Sequence, residues 1–132
     1  MITNQQSGTN VQEVASGIFR INTPIPIPGA GKFNFNQYRV VDDAPLLFHT
    51  GQHGLFPLVQ EAVSSVIPVS RLRYVAFSHF EADECGALND FLAVAPNARA
   101  VAASSAAISV AMLVATWSCP RVRAWLCALA VG

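Results

Sequence analysis

The chain has 132 residues, enough to bury one hydrophobic core and form a single domain. Eight basic and eight acidic residues give a formal net charge of zero, and no Lys/Arg cluster appears, so nothing in the sequence supports electrostatic binding to nucleic acid. Charged residues make up only 12% of the chain, low for a soluble surface, and the shortfall is concentrated near the C-terminus.

Met1 to Asn10 is polar and uncharged, without the basic start and apolar core of a signal peptide, and the expected compartment is the cytoplasm. The three cysteines, Cys85, Cys119 and Cys127, are an odd number without CxxC spacing, which points to neither a disulfide framework nor a cysteine zinc site. Cys85 is expected to be a packed thiol. Val11–Ile21 and Phe33–Val41 carry alternating or β-branched residues and read as paired early strands, with Pro24 to Gly31 as a loop between them.

Pro45 to Gly51 reads as a short buried strand ending in a turn. Within it His49 is expected to be a packed or loop histidine, and His53 a turn residue; neither is counted as a ligand. Leu55, Leu58, Val59, Ala62, Val63 and Val66 recur at helical spacing, predicting an amphipathic helix over 54–67 that stops at Pro68. Arg71–Phe77 reads as the next strand, Ala87 to Val94 as a short helix stopped by Pro96, and Arg99–Ala103 as a further strand. Early strands followed by alternating helix and strand give an α/β (α+β) class. There is no internal repeat and no glycine-rich phosphate loop.

The segment after Phe77 carries the chemistry. His79, Glu81 and Asp83 are separated by one residue each, so in extended backbone they would project to one side, about 6–7 Å apart, a row able to span two metal ions. An imidazole with two carboxylates is a harder set than a thiolate cluster and leans toward iron or manganese, with zinc also accommodated. The competing reading is structural: His79 ends a strand, Asp83 caps the following helix and Glu81 is solvated.

The wider run Phe77-Ser78-His79-Phe80-Glu81-Ala82-Asp83-Glu84-Cys85-Gly86-Ala87-Leu88 resembles the metal-binding loop of the metallo-beta-lactamase superfamily, and more closely its His-x-Glu-x-Asp version in the di-iron domain of flavodiiron proteins. The likeness is specific over about a dozen residues and looser over roughly 11–105. It implies an N-terminal half of an αββα sandwich, with His79 and Glu81 serving one iron and Asp83 the other. Glu84 stands where the superfamily usually has a His, and His49 stands where its Asp-Thr-Gly turn has the Asp. The resemblance also implies further His and Asp ligands downstream, yet this chain has no His after His79 and no acid after Asp90.

For an intact relative the resemblance implies a di-iron oxidoreductase that reduces dioxygen or nitric oxide, with electrons from an external flavin-containing donor, since nothing here resembles a flavin-binding domain. A metallo-hydrolase of the same superfamily is the second enzyme reading. With half its expected ligands, the chain itself is expected to be inactive, a non-catalytic remnant. Its length is short for the complete sandwich. Residues 1–108 are expected to form the N-terminal part of the domain, and 109–132 an apolar tail.

That tail has competing explanations. Ala100 to Trp117 holds no charge, and the remainder carries arginines but no acid. A shifted reading frame in a guanine- and cytosine-rich gene would give this composition. So would a weakly hydrophobic membrane helix within 100–131, since Ala100–Trp117 reaches the roughly 18-residue threshold. An ordinary buried strand plus helix is the third account.

Overall fold

The computed structural model describes residues 1–102. Seven strands form one mixed sheet in sequential order: β1 (Ile2–Asn4), β2 (Thr9–Ala15), β3 (Ile18–Ile27), β4 (Gly31–Val40), β5 (Leu46–Phe48), β6 (Tyr74–Phe77) and β7 (Arg99–Ala102). Neighbours from β1 to β5 are antiparallel, whereas β5–β6 and β6–β7 are parallel. Parallel neighbours need crossovers, and helices supply them. One crossover is α1 (Phe56–Ser64), preceded by a 3-10 turn at His53–Leu55; the other contains the single-turn α2 (Ala82–Cys85) and α3 (Leu88–Val94).

The predicted helix over 54–67 is therefore shorter than its apolar pattern. Pro57 sits in its first turn, where a missing N–H costs nothing. The amides of Val66 and Ile67 both bond the Val63 carbonyl as the chain unwinds before Pro68. The predicted strand Arg71–Phe77 begins only at Tyr74, because Val69–Arg71 forms a 3-10 turn.

Val11–Ile21 is a hairpin, β2 and β3 joined through Ser16-Gly17. The Pro24 to Ile27 stretch, read as loop, is strand: Pro24 pairs with Asn34 and Pro26 with Lys32, and the turn is confined to Pro28–Ala30. Strand β2 pairs β3 only as far as Asn22, so the prolines occupy a stretch with one open edge, where proline is tolerated.

One face of the sheet carries the main core: Val11, Ile21, Leu47 and Val75 lie under Val59, Ala62 and Val63 of α1 and Phe91 of α3. Phe91 is fully buried and meets Phe56 edge to face at 5.0 Å. A smaller cluster of Ile18, Val40, Leu46, Phe48 and Ala76 occupies the opposite face. The strand pattern explains the split, since successive residues of β5 point to opposite sides. Among the described residues no helix is long and apolar enough to cross a membrane. The apolar tail, and the membrane-helix reading beyond Ala102, lie outside the described residues.

Arg39 breaks the apolar rule. It pairs in register with Phe19 and Leu47, on the face of the main core, and is fully buried. Its Nη1 reaches only the Val40 and Leu46 carbonyls, at 3.5 and 3.4 Å, while Nε and Nη2 have no partner. Desolvation, with the Arg71 charge adding repulsion, pushes its pKa down to about 10. A base whose folded value lies below its unfolded one destabilises the fold while charged, and that penalty fades as pH rises from about 10. We predict that Arg39→Met raises the unfolding free energy by about 1–4 kcal/mol at neutral pH in urea titration, with the gain shrinking above pH 10.

Candidate metal centre

Parallel pairing sets Leu47 against Val75 and Phe48 against Ala76, so β5 and β6 end side by side. The segments that leave them, His49-Thr50-Gly51 and Ser78 to Glu84, meet at this carboxyl end, the usual place for a ligand site in α/β sheets. Backbone bonds join them: the His49 amide donates to the Ala76 carbonyl at 2.7 Å, and the Thr50 amide to the Glu84 carbonyl at 2.7 Å. The buried Thr50 hydroxyl donates to the Gly51 and Glu84 carbonyls at 3.2 and 3.3 Å, and accepts from the Ala87 amide at 3.2 Å.

Two backbone features make this junction tight. His49 has φ 62°, a left-handed conformation that costs a side-chain-bearing residue about 1 kcal/mol or more, and Gly51 follows at φ 76°. Gly86 packs against the second turn so closely that a Cβ there would sit 3.0 Å from the His53 nitrogen and 3.2 Å from the Gln52 Cα, and would also overlap the Ala82 carbonyl. All three obstacles are backbone. Gly86→Ala is predicted to destabilise the chain by more than 1 kcal/mol, read by thermal unfolding, through displacement of α2 from the β5 turn.

The structure places the three expected ligands on one loop but does not line them up. Glu81 is extended, at φ −124° and ψ 153°, and Asp83 lies inside α2, whose helical turn begins at Ala82. The one-sided row therefore breaks after Glu81. All three residues are exposed, and Glu81 sits at the helix N-cap without a side-chain capping bond. Asp83 is not the cap. Among the described residues no three His, Cys, Asp or Glu side chains form a group that could hold a metal ion. The donor types suit a hard metal, but in this arrangement they do not fit one.

Glu84 takes the central position instead. Its Oε2 accepts from the Ser78 hydroxyl at 2.9 Å and from the His79 amide at 2.7 Å. The same oxygen lies 3.3 Å from His79 Nδ1 and 3.5 Å from His49 Nδ1. Ser78 Oγ, its proton committed to Glu84, is also 3.0 Å from His79 Nδ1 and 3.4 Å from His49 Nε2. The His49 side chain is 15% exposed and Glu84 24%, whereas His79 is 69% exposed. His49 is thus the packed loop histidine the sequence suggests, edge-on to Phe48, but it faces the loop from Ser78 to Glu84. His53 lies in the 3-10 turn as expected, with Nδ1 2.7 Å from Asp90 Oδ2.

Charge follows this geometry. Burial lowers the His49 pKa, outweighing the Glu84 carboxylate that would raise it. For Glu84, desolvation acts upward but is outweighed by the bonds from Ser78 and His79 and the two imidazoles, so its pKa lies below the ordinary value. Burial raises the Cys85 thiol. Because the folded Glu84 value is depressed, its stabilisation is present above the unfolded pKa and is lost as pH falls through the folded one. Glu84→Gln is predicted to lower stability at pH 7 and to flatten the acid limb of the stability curve, measured by urea unfolding from pH 7 to pH 3.

Sequence comparison finds no matching family model and no matching curated protein. Solved structures do match. Rubredoxin oxygen:oxidoreductase from Desulfovibrio gigas superposes with a TM-score of 0.60 at 19% identity, covering 69% of this chain and 25% of its own. A flavo di-iron protein variant from Thermotoga maritima gives 0.61 at 15% identity, over 70% of this chain and 26% of its own. A metallo-beta-lactamase from Cronobacter sakazakii, described by a HARLDQ motif, gives 0.56 at 17% identity, over 68% and 32%. The mixed α/β sheet is thus that of part of a metallo-beta-lactamase-fold domain. The chain spans 25% to 32% of the length of these three structures.

Proposed function

We propose that the chain contributes the first part of a metallo-beta-lactamase-fold metal centre of the flavodiiron type, in which His79 and Glu81 serve one iron and Asp83 the other. The observation that carries this reading is position: the His-x-Glu-x-Asp segment leaves the carboxyl end of β6 beside the end of β5, in a sheet that superposes on such domains. The activity of the intact relative would be reduction of dioxygen or nitric oxide, with iron supplying the electron-transfer chemistry. Its electrons would come from a flavin-containing partner outside this chain. A cytoplasmic location and the absence of a nucleic-acid partner belong to the same proposal.

For residues 1–102 no reaction step through iron follows, because the three side chains do not converge. What these residues do is position: Thr50 holds the loop to the β5 turn, and Ser78 and Glu84 fix the backbone of His79. Affinity depends on a complete and preorganised ligand set, so this chain alone is expected to hold metal weakly and to turn nothing over. A hydrolase is the second reading. It is favoured by the Cronobacter match, whose HARLDQ motif shares its first and fifth letters, His and Asp, with the run His79-Phe80-Glu81-Ala82-Asp83-Glu84.

The test is metal content and turnover of the 132-residue chain produced in iron- and zinc-replete medium. We expect well below one metal per chain by elemental analysis, and neither dioxygen consumption with a reduced flavin donor nor ester cleavage. Tight, near-stoichiometric iron that His79→Ala abolishes would overturn the claim that the site is incomplete. Bound zinc with ester cleavage would favour the hydrolase.

A further inference from the structure

We propose that the amino end of the parallel strands carries a separate binding site, a cleft lined by Arg73 and Arg99 that takes a small molecule bearing a phosphate or carboxylate group together with hydroxyl groups. The site lies away from the loop after β6, and the inference does not depend on the reading of that loop.

The segments that enter β5, β6 and β7 meet at one end of the sheet, opposite the end where His49 and Ser78 emerge. In-register pairing sets Tyr74 between Leu46 and Arg99. Backbone hydrogen bonds lock the three entries together: the Arg73 and Tyr74 amides both donate to the Pro45 carbonyl, at 2.8 and 3.2 Å, and the Arg99 amide donates to the Arg73 carbonyl at 2.9 Å. The Ala98 amide closes the turn before β7 on the Ala95 carbonyl at 2.9 Å. On this frame opens a cleft of about 420 Å³, lined by Asp43, Ala44, Arg73, Tyr74, Asn97 and Arg99. The whole of β6, Tyr74–Phe77, separates it from Ser78, a distance on the order of 10 Å at about 3.3 Å per residue.

The lining is charged and its polar groups are unpaired. Two arginines against one aspartate leave an excess of one positive charge. Among the described residues the side chains of Asp43, Arg73, Tyr74, Asn97 and Arg99 make no hydrogen bond or ion pair with the rest of the chain, and the ion pairs present all involve histidine. Arginine's planar fork of donors matches two oxygens of a phosphate or a carboxylate. Asp43 and Asn97 add acceptors, and Asn97 and Tyr74 add donors, which favours an anion that also carries hydroxyl groups over a bare ion. The volume agrees, since it falls within the roughly 300–1,000 Å³ of small-molecule sites. Open α/β sheets place their reaction sites at the carboxyl ends of the strands, so a cleft at the amino end is a binding site and not a reaction centre.

The test is amide chemical-shift titration of the full chain at low salt with glycerol 3-phosphate and with malate, each against sodium chloride of equal ionic strength. We expect saturable shifts at Arg73, Tyr74 and the amides from Asn97 to Arg99 with at least one of the two anions, and none with chloride. Whichever anion binds more tightly identifies the source, phosphate ester or carboxylic acid. Arg73→Ala and Arg99→Ala should each weaken that binding by about tenfold, the loss of a charge-assisted bond. Arg20→Ala should leave it unchanged, because Arg20 lies on β3 and bonds Gln12 at 2.9 Å.

Both cleft arginines are exposed, so their replacement should not unfold the chain. Should an alanine variant fail to fold, the corresponding lysine variant keeps the charge without the fork and is expected to weaken binding several-fold. Absence of saturable shifts at these amides with both anions would overturn the proposal. So would a loss of affinity in Arg20→Ala as large as in Arg99→Ala, which would reduce the effect to non-specific charge.

Discussion

The parallel register of β5 and β6 is the constraint from which the candidate site follows. With Leu47 beside Val75 and Phe48 beside Ala76, the residues just beyond each strand, His49 and Ser78, emerge at the same end of the sheet. An antiparallel partner would have carried the Ser78 loop to the far end. The parallel arrangement requires a crossover, and α1 provides it by burying Val59, Ala62 and Val63 on the face that Leu47 and Val75 share. Core packing and loop placement are therefore linked. Disturbing the register of β5 would move the hydrophobic set to the wrong face and part His49 from Glu84 together.

At that junction local structure and polar chemistry support each other. The Thr50 amide and hydroxyl both reach the Glu84 carbonyl, while the Glu84 side chain reaches back to Ser78 and the His79 amide. Backbone and side chain of one residue thus hold two loops from opposite directions. A His in the same place would not reproduce this, since an imidazole cannot accept from both the Ser78 hydroxyl and the His79 amide on one atom.

Much of this was legible in the sequence where one period dominates. The apolar spacing of Leu55 to Val66 identifies α1, the run Leu46-Leu47-Phe48 identifies β5, and Pro96 closes α3 where expected. Legibility failed where tertiary context outweighed local chemistry. Pro24 and Pro26 signal loop, yet they pair with β4 because their stretch of β3 has an open edge. Alternation through His79 and Glu81 suggests a continued extended row, but the turn at Ala82 breaks it within one residue of Glu81. Arg39 gives no local sign of burial. The meeting of His49 with Glu84, 35 positions later, depends on strand pairing and on a positive φ that no pattern announces.

Glu84, and not a metal ion, holds the His79 to Asp83 loop in this chain, through the Ser78 hydroxyl and the His79 amide. Crystals of the full chain grown with cobalt, with the ion located by anomalous scattering, would decide the matter. The expected map has no anomalous peak at bonding distance from His79, with Glu84 bonded to Ser78 and the His79 amide. A fully occupied cobalt ion bonded to His79 together with Glu81 or Asp83 would show that these side chains do converge on a metal and overturn this reading.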